Sequence, residues 1–255
     1  QGNYATGLAT AGSYFVHVTK PGYYPFEEVI ELNNGVLLEL DVALEPLPTF
    51  DLEGKVLDND TGEGIPFSWI TLTDGELTYT TQTDEFGEFF IENVFQGVYQ
   101  CLAGSWSYKY FTIDALTIIN TVPIVVALDR GYEDLFEFDL GWEISGDATE
   151  GIWEQGFPKE TSTGSGRISN PGTDSPNDKG YECYVTGNND ESVSSDEVDL
   201  RTTLTSPIMN INQFIAPKLE FDYWFFNAWT NIEPDDSLTV RIILDGSETK
   251  EVLAI

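Results

Sequence analysis

Positive charge is what this sequence has least of. Against 44 Asp and Glu stand only 11 Lys and Arg, giving a formal net charge of −33 over 255 residues. Recognition of nucleic acid or of an anionic membrane surface needs clustered Lys and Arg to meet phosphate, so neither partner is expected. No stretch approaches the ~18 consecutive apolar residues of a membrane helix, and the N-terminal residues given are not expected to act as a signal peptide. Cysteine is scarce too. Cys101 and Cys183 cannot make a disulfide framework. Each lies in an apolar, strand-like run (Tyr99-Gln100-Cys101-Leu102 and Glu182-Cys183-Tyr184-Val185), where a small buried hydrophobe is expected.

One histidine (His17) and one methionine (Met209) complete the scarce residues, and that scarcity removes most catalytic chemistry. A zinc hydrolase needs three nitrogen or carboxylate ligands, usually including two His, plus a base. This chain has one His and no His-x-x-Glu pattern. His17, in the alternating run Tyr14-Phe15-Val16-His17-Val18, is expected as an ordinary strand residue. A Ser-His-Asp or Cys-His site fails on the same count, and no Gly-x-Ser-x-Gly elbow is present. Glycoside hydrolysis needs only two carboxylates. With 44 acids, pairs arise by chance and none is singled out. No enzymatic activity is expected here, and any catalytic domain would lie outside the chain.

Apolar residues make up 41% and aromatics 13%, far above a disordered acidic tail, so a folded, soluble, acidic protein is expected. Helical periodicity is almost absent. Runs such as 14–18 and 238–244 alternate as strands do, between the turn signals Asn33-Asn34-Gly35, Asp60-Thr61-Gly62, Thr73-Asp74-Gly75 and Asp245-Gly246. With 23 Gly and 12 Pro, this pattern predicts an all-β protein of sandwiches or barrels.

An internal repeat organises the first half. Gly12-Ser13-Tyr14 returns 85 residues later as Gly97-Val98-Tyr99, Tyr23 as Tyr108 and Phe26 as Phe111. Val42-Ala43-Leu44 returns as Val126-Ala127-Leu128, one residue short of that register. Tandem small β-sandwiches followed by a β jelly roll are expected, with domains at 1–47, 48–130 and 131–255. The first copy enters part-way, with its opening strands missing. Either the chain is cut from a longer precursor or a partner completes the fold, since half a sandwich leaves edges unpaired. The abrupt end on an apolar strand at Ile255 also reads as a truncation.

The second copy resembles the carboxypeptidase regulatory-like (transthyretin-like) β-sandwich. The residues that carry this are Gly54-Lys55-Val56, Gly62-x-Gly64-Ile65-Pro66, Thr83-Asp84-x-x-Gly87-x-Phe89 and Gly97-x-Tyr99. Gly12-x-Tyr14 and Lys20-Pro21-Gly22-Tyr23 match the second half of the same module. From Gly131 onward the chain resembles the MAM-like jelly rolls of large secreted and cell-surface proteins of Bacteroidetes-type bacteria. That match runs through Phe138-x-x-Gly141-Trp142, Gly151-x-Trp153-Glu154-x-Gly156-x-Pro158, Cys183-Tyr184-Val185-Thr186-Gly187-Asn188 and Leu219-Glu220-Phe221-Asp222-Tyr223-Trp224. Relatives often carry an Asp-Val-Asp-Gly-Gly run where this chain reads Asp196-Glu197-Val198-Asp199-Leu200-Arg201. The resemblance implies export to an extracellular or cell-surface location and a structural cation in the jelly roll.

Calcium is the expected cofactor, because hard cations take several oxygen ligands from acidic loops. Two loops offer them. One is 174–178, with Asp174 and Asp178; the other runs from 188 to 199, with Asp190, Asp196 and Asp199. Neither has EF-hand spacing, and acidic loops on an acidic protein are also expected simply to be solvated. Exposed indoles are the other candidates, since sugar rings stack on them. Trp229 and Trp224 are the candidate ligand contacts in the aromatic segment 221–229, with Trp106 in the second copy. Trp142 and Trp153 sit at motif positions and are expected in the core. The alternation of Phe221, Tyr223 and Phe225 with Asp222, Trp224 and Phe226 is equally that of a strand buried on both faces.

The leading functional expectation is a non-catalytic adhesion region of a large secreted or surface protein. In it β-sandwiches act as a spacer and a jelly roll presents a surface to glycan, to a surface protein, or to neighbouring domains and copies. The second is an accessory segment of a secreted metallocarboxypeptidase whose catalytic domain lies elsewhere. The third is a subunit of an extracellular filament assembled by strand complementation. A native mass far above 28 kDa favours the first two, and polymers of a 28.4 kDa chain favour the third.

Overall fold

A computed structural model describes residues 4–7, 10–163, 165–177, 179–188, 198–227, 236–244 and 248–255. Among them the protein is all-β and contains no helix. The chain divides into two compact units, residues 1–131 and 132–255.

The first unit opens with β1 (Gly12–Val18) and β2 (Phe26–Leu32), an antiparallel pair. A sandwich follows, built from β3 (Thr49–Asp58), β4 (Trp69–Thr73), β5 (Thr78–Gln82), β6 (Glu88–Phe95), β7 (Gly97–Gly104), β8 (Phe111–Ile118) and β9 (Ile124–Leu128). One sheet has the order β6-β3-β9 and the other β5-β4-β7-β8. The β3–β9 pairing is parallel, with Gly54 opposite Ile124 and Asp58 opposite Leu128.

Period-two alternation decides which faces meet. Leu52 and Val56 on β3, Ile70 and Leu72 on β4, Tyr99, Cys101 and Ala103 on β7, and Val126 and Leu128 on β9 are all buried in one core. Each Leu, Ile or Val among them contributes about 1.5–3 kcal/mol by leaving water. Between β5 and β6, Asp84 Oδ1 accepts the amides of Phe86 (2.8 Å) and Glu88 (2.9 Å), closing the turn. Gly87 takes φ +77° there, and a Cβ on it would lie 2.6 Å from the Gly64 Cα. Two of the motif glycines therefore pack backbone against backbone. Cys101 is buried and its thiol is pushed up to about 11 by that burial, whereas Cys183 is only half-buried; neither is in a disulfide.

The two copies of the repeat superimpose bond for bond around one turn. Tyr23 N donates to Lys20 O at 3.1 Å, and Tyr108 N to Ser105 O at 3.1 Å. Tyr24 N donates to Glu45 O and Lys109 N to Asp129 O, both at 2.9 Å. Leu47 N donates to Gly22 O (2.9 Å) and Gly131 N to Ser107 O (3.1 Å). Gly22 and Ser107 share the left-handed conformation, with φ of 77° and 78°.

The second unit contains β10 (Glu143–Gly146), β11 (Trp153–Gly156), β12 (Thr161–Ser162), β13 (Ile168–Asn170), β14 (Cys183–Thr186), β15 (Thr202–Thr205), β16 (Thr239–Leu244) and β17 (Glu248–Ala254). All of its described pairs are antiparallel: β10 with β15, β11 with β14, β12 with β13, and β16 with β17. The first two are nested, the inner pair lying between the outer strands in sequence. Phe136, Trp142 and Tyr184 pack edge-on or tilted, with ring centroids 5.2–6.1 Å apart, and the Trp142 indole donates to Asp134 Oδ2 at 2.7 Å. Trp153 is half-buried on β11.

Candidate functional site

The segment 219–227 of the second unit forms no strand among its described residues, and it leaves three of its aromatics open to solvent. Phe221 is 44%, Tyr223 52% and Trp224 55% exposed. The expectation of a strand buried on both faces therefore does not hold there. Among the described residues no strand pairs with this segment, and Phe221, Tyr223 and Trp224 stay open while Phe225 and Phe226 are half-buried.

Trp224 is exposed but not loose. Its indole Nε1–H donates to the Ser169 carbonyl at 2.6 Å. Ser169 lies on β13, is 3% exposed, and shares a hydroxyl hydrogen bond of 2.8 Å with the buried Thr161 of β12. The β12–β13 hairpin thus fixes the plane of an indole that solvent reaches. Beside it, the Arg167 guanidinium sits 4.9 Å from the Phe226 ring centroid, a cation–π contact made from the same hairpin. Asp222 Oδ2 accepts Ser175 Oγ at 2.5 Å and Asn177 Nδ2 at 3.1 Å, which ties the segment to the 171–177 loop. These two bonds, Ser175 first, hold the Asp222 carboxyl below the usual carboxylate range. The result is a pre-set aromatic surface edged by polar groups.

Of the other sequence-derived ligand candidates, Trp229 lies outside the described residues. Trp106 is half-buried in the turn Ser105–Tyr108 of the first unit, at the place Pro21 takes in the first copy. Trp106 and Trp224 belong to different units.

Among the metal candidates, Asp178, Asp190 and Asp196 lie outside the described residues. Asp199 caps the turn after β10: its oxygens accept Thr149 N (2.8 Å), Thr149 Oγ1 (2.5 Å) and Glu150 N (3.1 Å). Those bonds, the Thr149 hydroxyl first, lower its pKa. Asp174 is half-buried. Among the described residues no group of three or more His, Cys, Asp or Glu is placed to hold a metal ion. Of the five candidate ligands only Asp174 and Asp199 are among the described residues. His17 lies on β1, 3.7 Å from Glu27. Glu137 accepts the amides of Tyr181 and Glu182, so its carboxylate is committed to the backbone.

A polar cluster that sequence reasoning missed closes the sandwich of the first unit. Asp58, at the end of β3, is 2% exposed. Its carboxylate meets Arg130 Nη2 at 2.6 Å and accepts the Tyr108 hydroxyl at 2.9 Å, with the amides of Asp60 (2.9 Å) and Thr61 (3.0 Å) on the other oxygen. Burial pushes this carboxyl up, but the bonds from Tyr108, the two amides and Arg130 outweigh it and hold it at about 2. The phenol of Tyr108 is pushed up to about 12, by burial first and by Asp58 second. The available signal was the run Asp58-Asn59-Asp60-Thr61-Gly62, in which a first-position Asp folds a turn back on itself.

No protein-family model and no curated protein matches this chain. Solved structures resemble parts of it. A candidate carbohydrate-binding protein of Bacteroides uniformis is 14% identical over 42% of this chain and 50% of its own, with a TM-score of 0.29. A streptococcal ancillary pilin is 18% identical over 44% and 39%, with a TM-score of 0.31. The Bacillus anthracis TIE protein is 20% identical over 47% and 25%, with a TM-score of 0.26. The chain spans half or less of the length of each.

Proposed function

We propose that this chain is a non-catalytic, extracellular binding region, in which the 49–128 sandwich is a spacer and the surface around Trp224 takes up carbohydrate. The observation that carries this reading is the fixed yet open indole: 55% exposed, with its only polar hydrogen given to the Ser169 carbonyl. A ring whose plane is set in advance loses little freedom when a sugar face stacks on it, which is the general route to affinity through preorganisation. Phe221 and Tyr223 extend the apolar surface, and Asp222, held by Ser175 and Asn177, borders it with a polar group. The net charge of −33 sets the class of glycan: neutral sugars approach freely, whereas sulfated or uronate-rich polymers are repelled. The carboxypeptidase regulatory-like and MAM-like resemblance supports the same surface role.

The test is a glycan and polysaccharide array probed with the full chain, with calcium and with EDTA, beside Trp224→Ala. Binding to neutral glycans that disappears in Trp224→Ala, with an unchanged circular dichroism spectrum, supports the reading. A blank array under both conditions, or binding that Trp224→Ala leaves intact, rejects it. Loss in EDTA alone would give calcium a part in the surface.

A further inference from the structure

The chain enters and leaves the 49–128 sandwich at opposite ends of one strand pair. It comes in at Thr49 on β3 and goes out after Leu128 on β9, and these two strands run side by side in parallel from Gly54/Ile124 to Asp58/Leu128. Tension along the chain therefore draws β3 toward its start and β9 toward its end. The strands must slide along each other, so all the bonds of the ladder are loaded together. A hairpin pulled apart at its open end gives way one bond at a time. β3 is also paired with β6 from Thr49 to Lys55, so its slide has to shear a second ladder as well.

The exit end of the pair is fastened across its two strands, and the entry of β3 is fastened to the β6–β7 turn. At the exit, Asp58 holds Arg130 at 2.6 Å, Asn59 Nδ2 donates to Asp129 Oδ1 at 2.8 Å, and Asn59 N donates to Leu128 O at 3.0 Å. At the entry, Gln96 N donates to Pro48 O at 2.7 Å. Leu52, Val56 and Val126 are 0% exposed and Leu128 1%, so sliding drags apolar side chains across a packed core.

We propose that residues 49–130 form a shear clamp, a mechanically resistant link that carries tension between the segments on either side of it. The proposal rests on the spacer reading given above and adds a direction-dependent strength to it.

Single-molecule force spectroscopy on the full chain tests this in two pulling geometries. In one, the chain is held through tags at its two ends. In the other, it is held through the N-terminal tag and a thiol handle at Thr121→Cys, in the exposed β8–β9 segment, with Cys183→Ser to remove the competing thiol. The second geometry lifts β9 from its Ile124 end and peels it. At full extension residues 49–128, freed in the first geometry, span about 260–290 Å and residues 49–121, freed in the second, about 240–260 Å; each gain, less the folded separation of the attachment points, identifies its event. The clamp predicts an end-to-end unfolding force roughly twofold or more above the peeling force at equal loading rate. It also predicts that Arg130→Gln lowers the first force and leaves the second unchanged. Equal forces in the two geometries would overturn it. The spacer reading is scored separately in the same traces: a spacer keeps the sandwich folded at low force, whatever the ratio of the two unfolding forces.

Discussion

Tyr14 and Tyr99 occupy the same place in the two copies of the repeat. Each donates its hydroxyl to the carbonyl four residues upstream, Tyr14 to Thr10 at 2.7 Å and Tyr99 to Phe95 at 2.8 Å. Beyond that bond the copies part. Tyr99 is 1% exposed in a core fed by both sheets, whereas the β1–β2 pair leaves Phe15 63% and Val29 65% exposed. Val126 and Leu128 lie in β9 against β3, but their counterparts Val42 and Leu44 sit in a segment assigned to no strand. Local sequence makes the turn and its hydrogen bonds in both copies. Burial needs the strands that only the second copy supplies among the described residues.

The sharpest way to break this comparison is to remove the group that only the complete copy buries. Asp58→Ala leaves Arg130, Tyr108 and two amides facing an empty site. Allowing for the partial exposure of Arg130, unfolding of the first unit in urea should be easier by about 2–4 kcal/mol. The same carboxylate sets a pH dependence. Its folded pKa of about 2 lies below the ordinary 3.8, so its stabilisation is complete above 3.8 and is lost as pH falls through about 2. Asp58→Asn should flatten that acid limb of the urea midpoint; an unchanged limb would show that Asp58 does not titrate with folding.

Gly22→Ala comes next. At φ +77° an L residue is strained, and its Cβ would stand 2.6 Å from the Phe95 ring. A cost of about 1–2 kcal/mol is expected, read as faster hydrogen exchange at the Tyr24 and Leu47 amides rather than across the sandwich core. The smallest effects sharpen the pairing of the two tyrosines. Tyr99→Phe removes a buried bond and should cost about 1 kcal/mol, while Tyr14→Phe, beside solvent, should cost less than about 0.5 kcal/mol. Equal losses would mean that burial does not separate the copies.

The all-β class, the alternation of residues 14–18 and the repeat that pairs Val42-Ala43-Leu44 with Val126-Ala127-Leu128 were legible in the sequence because they depend on neighbours two residues apart or on a fixed offset. So was the turn at Asp84 and Gly87, whose hydrogen bonds are local. Asp58 was passed over beside the turn signal Asp60-Thr61-Gly62, because its burial depends on Tyr108, 50 residues away, and on Arg130 beyond it. For Trp224 the alternation of residues 221–226 fitted a buried strand as well as an exposed one. Only the bond to Ser169, 55 residues back, distinguishes a fixed, open ring from a packed one. Long-range polar partners carry no periodicity, and that is where the sequence stopped being informative.

A division of labour between a rigid sandwich and an open aromatic surface is most directly tested by hydrogen exchange on the full chain, with and without the neutral polysaccharide the array selects. Protection should rise in the peptides covering 167–177 and 219–227 and stay unchanged across 49–128. Protection gained in the sandwich instead, or in neither region, would contradict it.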